Sequence, residues 1–185
     1  MNTPLKIVGI AGSLRKDSFN KALLNAAKEL VPEGVELEIL DIGTFPLFNQ
    51  DMEQNMPADV LAFKEKIKAA DAVLFSTPEY NYSIPGVLKN AIDWASRPYG
   101  QNSFDDKPVA IMGGSGGNVA TARAQYHLRQ TFVFLNMHAV NRPEVMVGAV
   151  HEKIDASGKV TDQHTRDKIK ELLEALVAFA KRLNK

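Results

Sequence analysis

The residues best suited to chemistry lie in a short polar segment near the N-terminus. Within eight positions after Gly12 the sequence places two serines, an arginine and an asparagine: Ser13, Arg15, Ser18 and Asn20. An apolar run over 7–11 precedes them, and a long helical pattern follows. A helix that starts directly after a buried strand presents free backbone N–H groups, and its dipole favours an anion there. Because hydroxyl, amide and guanidinium donors add to these groups, the segment suits a terminal phosphate.

Two familiar phosphate-binding patterns do not fit this segment, and a plainer interpretation stays open. The Gly-Lys-Ser/Thr of a Walker A loop is missing, and Gly9 and Gly12 lack the Gly-x-Gly-x-x-Gly spacing of a dinucleotide site. In the plainer interpretation Ser18 or Asn20 caps the helix and Arg15 is solvated. The position favours the anion site, because ligands of open α/β sheets bind beyond the carboxyl ends of the strands.

A second segment, 77–86, combines a stiff backbone with flat side chains. Pro78 and Pro85 restrict the backbone, and Tyr80 and Tyr82 supply aromatic rings. The backbone N–H groups between the prolines are expected to be free for a ligand. Such a loop suits a planar heterocycle, because prolines and tyrosines pack on rings while amides bind polar edges. The alternative is a rigid turn with partly buried tyrosines at a subunit contact.

A third segment is rich in glycine. Residues 113–118 read Gly-Gly-Ser-Gly-Gly-Asn, which allows close backbone approach and unusual dihedral angles. A nest of their N–H groups could stabilise negative charge. The alternative is a flexible loop in which Asn118 or Thr121 caps the next helix.

Each of the three segments follows a strand in a regularly alternating pattern. Strand patterns cover 7–11, 35–40, 72–76, 108–112 and 140–147. Helical patterns cover 21–30, 57–70, 85–94, 120–135 and 165–183. This alternation predicts an α/β fold with a parallel sheet and helices on both faces. Five strands in a single domain, 1–185, predict a flavodoxin-like three-layer fold with strand order 2-1-3-4-5.

The predicted strand order brings the three segments together. Strands one, three and four are neighbours in it, so their following loops meet at one edge of the sheet. The first loop offers a phosphate cradle, the second a surface for a planar ring and the third a set of N–H groups. Together they match FMN better than any other common ligand.

The sequence of these segments is also specific. Residues 12–20 read Gly-Ser-Leu-Arg-Lys-Asp-Ser-Phe-Asn, residues 77–83 read Thr-Pro-Glu-Tyr-Asn-Tyr-Ser, and residues 88–94 read Leu-Lys-Asn-Ala-Ile-Asp-Trp. In this order they resemble the NADPH-dependent FMN reductase family, and most closely its branch of bacterial quinone and chromate reductases. The resemblance extends from Lys6 to about Val147. It implies a flavodoxin-like fold, bound FMN and oxidation of NAD(P)H.

The resemblance also assigns roles to residues of the three loops. It implies that the FMN phosphate is held by Ser13, Arg15, Ser18, Phe19 and Asn20. It implies that the isoalloxazine ring is lined by Pro78, Glu79, Tyr80, Asn81 and Tyr82. Its pyrimidine side is expected beside Ser115, Gly116 and Gly117. The family further implies a homodimer or homotetramer with the third and fourth helices at the interface.

A mechanism follows from these expectations. Hydride passes from NAD(P)H to the flavin, the nicotinamide product leaves, and an acceptor takes two electrons at the same place, which predicts ping-pong kinetics. An open, shared site implies small-molecule acceptors such as quinones and free flavin, and also azo compounds or chromate. No side chain is assigned as a catalytic acid or base. Glu79 is a candidate proton relay, although a backbone role is favoured for it. The choice between NADPH and NADH is not determined.

The composition excludes several other classes of protein. Lysine and arginine total 22, and aspartate and glutamate total 22, so neither nucleic acid nor a membrane surface is expected as a partner. The absence of cysteine excludes disulfides, thiolate metal sites and thiol nucleophiles, and the histidines form no metal-binding pattern. Without a signal peptide or a run long enough to span a bilayer, a cytoplasmic protein is expected.

The main competing function is that of a flavodoxin-type electron carrier, which serves a protein partner and reacts poorly with nicotinamides. Such carriers are typically strongly acidic, so the balanced charge argues against it, as does Arg15. A phosphoacceptor receiver domain would need acidic residues after strand one and an aspartate ending strand three. After strand one the chain has Ala11, Gly12 and Ser13 instead of acidic residues, and after strand three it has Thr77 instead of an aspartate. On the fourth helix, a helix-face or subunit-contact role is predicted for Arg123, Tyr126 and His127.

Overall fold

Strands and helices alternate along residues 3–183, the part of the chain that the computed structural model describes. The strands are β1 (Leu5–Ala11), β2 (Val35–Leu40), β3 (Ala72–Ser76), β4 (Pro108–Gly114), β5 (His138–Ala139) and β6 (Val145–Val147). The helices are α1 (Phe19–Leu30), α2 (Ala58–Ala69), α3 (Gly86–Ala95), α4 (Ala122–Phe134) and α5 (Gln163–Leu183). Two 3₁₀ helices, Gln50–Asn55 and Val150–Glu152, lie in the connections. Within this range, no helix is both long enough and apolar enough to cross a membrane.

The sheet is parallel and has the predicted order β2-β1-β3-β4-β5, with β6 also paired to β4. Strands β3 and β4 are buried along their whole length, as expected for strands covered by helices on both faces. The edge strand β2 alternates buried and exposed side chains, so one of its faces is partly solvated. This arrangement places the carboxyl ends of β1, β3 and β4 side by side.

Helices cover both faces of the sheet, so the predicted three-layer architecture is confirmed. One apolar layer packs α1 and α5 against the sheet, with Leu23, Leu24 and Leu173 fully buried. The other layer packs α2, α3 and α4 against the opposite face, where Phe75 stacks on Phe132 with their ring centroids 5.8 Å apart. Helices α1, α3 and α4 directly follow the loops after β1, β3 and β4, so these three helices start at the carboxyl edge of the sheet.

The predicted fifth strand, 140–147, is wrong in its continuity. Two short strands replace it, and both pair with β4: Ala139 lies opposite Val109, and Val145 lies opposite Met112. From Val109 to Met112 the chain of β4 advances three residues, whereas from Ala139 to Val145 the chain of β5 and β6 advances six, so the extra residues loop out of the sheet. Pro143 lies in this excursion and lacks the N–H that a ladder would need. The guanidinium of Arg129 donates to the Val140 carbonyl at 3.0 Å and holds the start of the loop.

Helix α3 anchors the long connection after β2. The indole Nε1 of Trp94 donates to the Pro46 carbonyl at 2.8 Å, and the Asn90 side chain donates to the same oxygen at 2.9 Å. Asn90 Oδ1 also accepts from the backbone N–H of Phe48 at 2.7 Å. Trp94 is fully buried, so its ring packs in the core while its indole N–H holds the connection.

Candidate functional site

The three predicted loops meet in one cavity at the carboxyl edge of the sheet. The cavity has a volume of about 200 Å³, and residues from all three loops line it. The lining residues are Ser13, Arg15, Ser18, Phe19, Asn20, Pro78, Glu79, Tyr80, Gly114, Ser115 and Gly116. Of the predicted site residues, only Asn81, Tyr82 and Gly117 lie outside this lining, and Gly114 is an addition.

The first loop has the helix cap of the plainer interpretation and still leaves donors available for an anion. Ser18 is the N-cap of α1, and its hydroxyl accepts from the Lys21 N–H at 3.4 Å. Helix geometry leaves the N–H groups of Phe19 and Asn20 without intrahelical acceptors, so they are available to an anion. Arg15 is exposed, and its guanidinium carbon lies 4.6 Å from the centre of the Phe19 ring. The cation is therefore already placed beside the helix N-terminus.

Asn20 has a different role from the predicted one. Its side chain is buried and its amide pairs with the peptide group of Gly114: Nδ2 donates to the carbonyl at 3.0 Å, and Oδ1 accepts from the N–H at 3.0 Å. The hydroxyl of Ser76 donates to the same Oδ1 at 3.2 Å. The side chain thus ties α1 to the ends of β3 and β4 rather than serving as a free donor.

The second loop is a tight turn. Tyr80 and Ser83 exchange two backbone hydrogen bonds of 3.0 Å, while Asn81 and Tyr82 have φ angles of 50° and 67°. The prediction that the N–H groups between the prolines are free is therefore wrong for Tyr80 and Ser83, since the turn uses both. Pro78 is buried and Tyr80 is exposed at the cavity.

The carboxylate of Glu79 points to helix α4. Oε2 accepts from the backbone N–H groups of Arg123 and Ala124 at 3.0 and 3.1 Å, and Oε1 pairs with the Arg123 guanidinium. The side chain is only 5% exposed. These contacts argue against Glu79 as a proton relay. They also replace the predicted cap, because Thr121 makes no side-chain capping bond and its hydroxyl accepts from Gln125 instead.

The glycines of the third loop serve two different purposes. A Cβ on Gly113 would lie 2.2 Å from the Thr77 carbonyl oxygen, so only glycine fits between β4 and the second loop. A Cβ on Gly116 would meet only His151 Nδ1, at 3.7 Å. The predicted unusual dihedral angles are absent from residues 113, 114, 116 and 117, whose φ values lie outside the left-handed region. Open space at Gly116 leaves room for a ligand to approach the backbone.

Three positions that line the cavity or contact its second loop were missed or undervalued in the sequence analysis. Gly114 belongs to the glycine-rich segment but carries no signal that separates it from its neighbours. Arg123 and His127 lie one helical turn apart and face the second loop, where the His127 Nδ1 is 3.1 Å from the Ser83 hydroxyl. The link of Arg123 and His127 to the second loop is visible only in their long-range contacts with Glu79 and Ser83. Residues 3–183 contain no group of histidine, aspartate or glutamate side chains that could hold a metal ion.

Comparison with protein families gives one family over most of the chain. A sequence model of the NADPH-dependent FMN reductase family matches residues 5–152. An NAD(P)H-dependent FMN reductase of Pseudomonas aeruginosa is 52% identical over 184 residues, which cover 99% of each chain. A 2-hydroxy-1,4-benzoquinone reductase of a Burkholderia species is 44% identical, with 96% of this chain and 97% of that one covered.

A solved structure agrees with these relatives. The flavoenzyme FerB of Paracoccus denitrificans, an NAD(P)H:(acceptor) oxidoreductase, superimposes with a TM-score of 0.88 at 39% identity. The match covers 96% of this chain and 98% of FerB. Sequence and fold therefore point to the same group of proteins.

Proposed function

The chain belongs to the NADPH-dependent FMN reductase family, and from this premise we propose that it oxidises NAD(P)H and delivers two electrons to quinones or free flavin. It is an FMN-dependent oxidoreductase of the flavodoxin-like fold. The observation that carries the proposal is the meeting of the three loops in one cavity beyond β1, β3 and β4. This is the place where open α/β sheets bind their ligands.

The residues around the cavity fit FMN. The α1 N-terminus, the Ser13 and Ser18 hydroxyls and the Arg15 guanidinium form a donor set for a dianionic phosphate. Asn20 contributes through its backbone N–H, since its side chain is engaged. A planar ring fits between the second and third loops, because Pro78 and Tyr80 supply flat surfaces and Gly116 has no side chain in the way.

The protein's own part in the reaction is binding and orientation. When bound, FMN supplies a ring that takes a hydride from a nicotinamide and returns two electrons to an acceptor. The exposed side chains of Tyr80 and Tyr82 leave the outer surface of the second loop open to a planar substrate. The backbone N–H of Gly116 is suited to stabilising negative charge, whereas that of Gly117 donates to the Ser115 hydroxyl at 3.3 Å. No side chain needs to act as an acid or base in hydride transfer.

We propose that donor and acceptor use this open surface in turn, so that the kinetics are ping-pong. A surface that admits a nicotinamide leaves few contacts that could select one acceptor. Quinones and free flavin are the proposed main acceptors, and azo compounds and chromate are proposed as further ones. Parallel lines in double-reciprocal plots would support the shared surface, and intersecting lines would contradict it.

We also propose that the protein is a homodimer or homotetramer built on α3 and α4. Val133 and Phe134 at the end of α4 are 84% and 77% exposed. Phe134, together with Ile92 and Tyr99, lines an apolar groove of about 350 Å³ between the two helices. Exposed apolar side chains around such a groove are typical of a protein–protein interface.

The decisive experiment is an anaerobic stopped-flow measurement of the visible flavin absorbance. FMN-loaded protein is mixed with NADPH and, separately, with NADH. Rapid loss of absorbance with either donor, followed by recovery on adding a quinone, supports the reductase and ranks the two donors. Protein that binds FMN but keeps its absorbance with both donors would overturn the proposal and favour an electron carrier.

A further inference from the structure

Helix α4 and the second loop depend on each other. The free N–H groups in the first turn of α4 are satisfied by Glu79, which lies more than 40 residues earlier in the chain. A carboxylate at this position is favoured by the helix dipole and replaces the missing cap at Thr121. The start of α4 is therefore held by a residue of the loop that lines the candidate FMN site.

The turn that follows Glu79 is unfavourable for its own sequence. A two-residue turn with positive φ at both central positions is of the type I′ kind, in which asparagine and then glycine are preferred. Asn81 fits the first position, but Tyr82 occupies the second with φ at 67°. A bulky residue in this region costs about 1 kcal/mol or more. The surrounding structure must therefore compensate for Tyr82.

Helix α4 provides that compensation through two side chains on one face. The Arg123 guanidinium carbon lies 3.7 Å from the centre of the Tyr82 ring, while the same guanidinium pairs with Glu79. One turn later, His127 contacts the hydroxyl of Ser83 at 3.1 Å. The Arg123 Nε is buried without a hydrogen-bond partner in the described part of the chain. Its position is thus determined by Glu79 and the tyrosine ring.

We propose that Glu79, Arg123 and Tyr82 form a positioning unit, through which α4 sets the shape of the loop that lies along the flavin ring. The inference rests on the proposed FMN site. Glu79 acts as a positioning residue: it lines the cavity, but its carboxylate binds α4 and Arg123 and acts on the ligand only through the shape of the turn. Tyr82 lies outside the cavity lining, so its ring serves to fix the turn rather than to enclose the phosphate end of the ligand.

The test compares FMN with riboflavin, which has the same ring and no phosphate. In Glu79→Gln the side-chain oxygen can still accept from the α4 N–H groups, but the charge that holds Arg123 is lost. We expect FMN and riboflavin affinities to fall by the same factor, about tenfold, and the visible circular dichroism of bound FMN to change. Tyr82→Leu should give the same pattern and Tyr82→Phe should not, because phenylalanine keeps the ring. Combined in one chain, Glu79→Gln and Tyr82→Leu should be less than additive.

The matched control is Glu29→Gln. Glu29 also pairs with an arginine, Arg166 at 3.2 Å, but at the far end of α1. Glu29→Gln should leave the FMN and riboflavin affinities and the visible circular dichroism unchanged. The inference is overturned if Glu79→Gln binds both ligands like the wild type, or if it lowers thermal stability with the dichroism unaltered. If Glu79→Gln does not fold, Arg123→Lys replaces it, since lysine keeps the charge and loses the planar contact with Tyr82. Wild-type protein that binds neither ligand would instead overturn the proposed function.

Discussion

The side-chain amide of Asn20 and the peptide group of Gly114 exchange two hydrogen bonds of 3.0 Å, which join the first loop of the candidate site to the third. The two residues are 94 positions apart in the chain. The pairing is buried and also includes the hydroxyl of Ser76. The geometry of the cavity therefore depends on an asparagine that the sequence suggests as a ligand donor.

Replacing Asn20 by alanine is expected to lower the free energy of unfolding. The change leaves the buried N–H and C=O groups of Gly114 without partners, and each such loss costs about 1–3 kcal/mol. We expect a total of about 3 kcal/mol in chemical denaturation. Asn25→Ala is the control, because Asn25 is an exposed asparagine on the same helix, and its loss should stay within about 0.5 kcal/mol. Equal effects of the two changes would contradict the buried pairing.

Arg15→Ala is expected to fold normally and to lose affinity for FMN. Arg15 is exposed, so the fold does not need it, while a charged hydrogen bond to phosphate contributes about 1.5–3 kcal/mol. That energy corresponds to roughly a tenfold to hundredfold rise in the FMN dissociation constant, measured by fluorescence titration. Riboflavin, which lacks the phosphate, should bind the variant as it binds the wild type. Unchanged FMN affinity would remove Arg15 from the phosphate site.

Replacing Gly113 and Gly116 of the third loop by alanine should affect different properties, stability in the first case and FMN binding in the second. At Gly113 the added Cβ would lie 2.2 Å from the Thr77 carbonyl oxygen, so we expect a loss of about 3 kcal/mol in stability or failure to fold. At Gly116 the nearest atom is 3.7 Å away, so thermal stability should be unchanged and FMN binding should weaken. Melting temperature and FMN affinity are measured on both variants. A stable Gly113→Ala protein would contradict the close packing of β4 on the second loop.

Lys64 gives the stability of the fold a defined dependence on pH. Its ammonium group is buried and donates to the carbonyls of Ala95, Arg97 and Gln101. Burial lowers the pKa of Lys64 from 10.5 to about 8. Between these two values the unfolded chain binds more protons than the folded one, so this group makes the folded state more stable as the pH rises.

The prediction concerns the difference between wild type and Lys64→Met. From pH 7.5 to pH 10 the wild type should gain roughly 2 kcal/mol in unfolding free energy relative to the variant, measured by urea denaturation. Lys66→Met is the control, because Lys66 lies on the same helix and is exposed. The unfolding free energy of Lys66→Met should differ from that of the wild type by a nearly constant amount over this pH range. If the unfolding free energy of the wild type does not rise relative to that of Lys64→Met over this pH range, the folded state keeps this lysine charged.

The proposed oligomer predicts a large effect from a single exposed residue. Phe134→Glu places a charge at the apolar groove between α3 and α4, where burying it in an interface would be strongly unfavourable. Analytical ultracentrifugation should show the variant dissociated at concentrations where the wild type is associated. Leu183→Glu is the control, since Leu183 is an exposed apolar residue of α5, on the other face of the sheet. A wild type that is monomeric would contradict the proposed interface.

Much of the fold could be read from local patterns. The bounds of β2 and β3 match the prediction, and the strand order is the flavodoxin-like order predicted for five alternating strands. The fifth strand was predicted as continuous although the polar residues Asn141, Arg142 and Glu144 flank Pro143 and interrupt its apolar pattern, and this polar run forms the excursion between β5 and β6.

The candidate site divides in the same way. The sequence by itself determined the alternation of strands and helices and narrowed the cap of α1 to Ser18 or Asn20, because both depend on neighbouring residues through spacing, capping and hydrophobic periodicity. Only the tertiary structure decided the roles of Asn20 and Glu79. Their side chains can hydrogen-bond to a ligand or to distant backbone equally well, and the choice is made by which buried N–H and C=O groups the folded chain leaves unpaired.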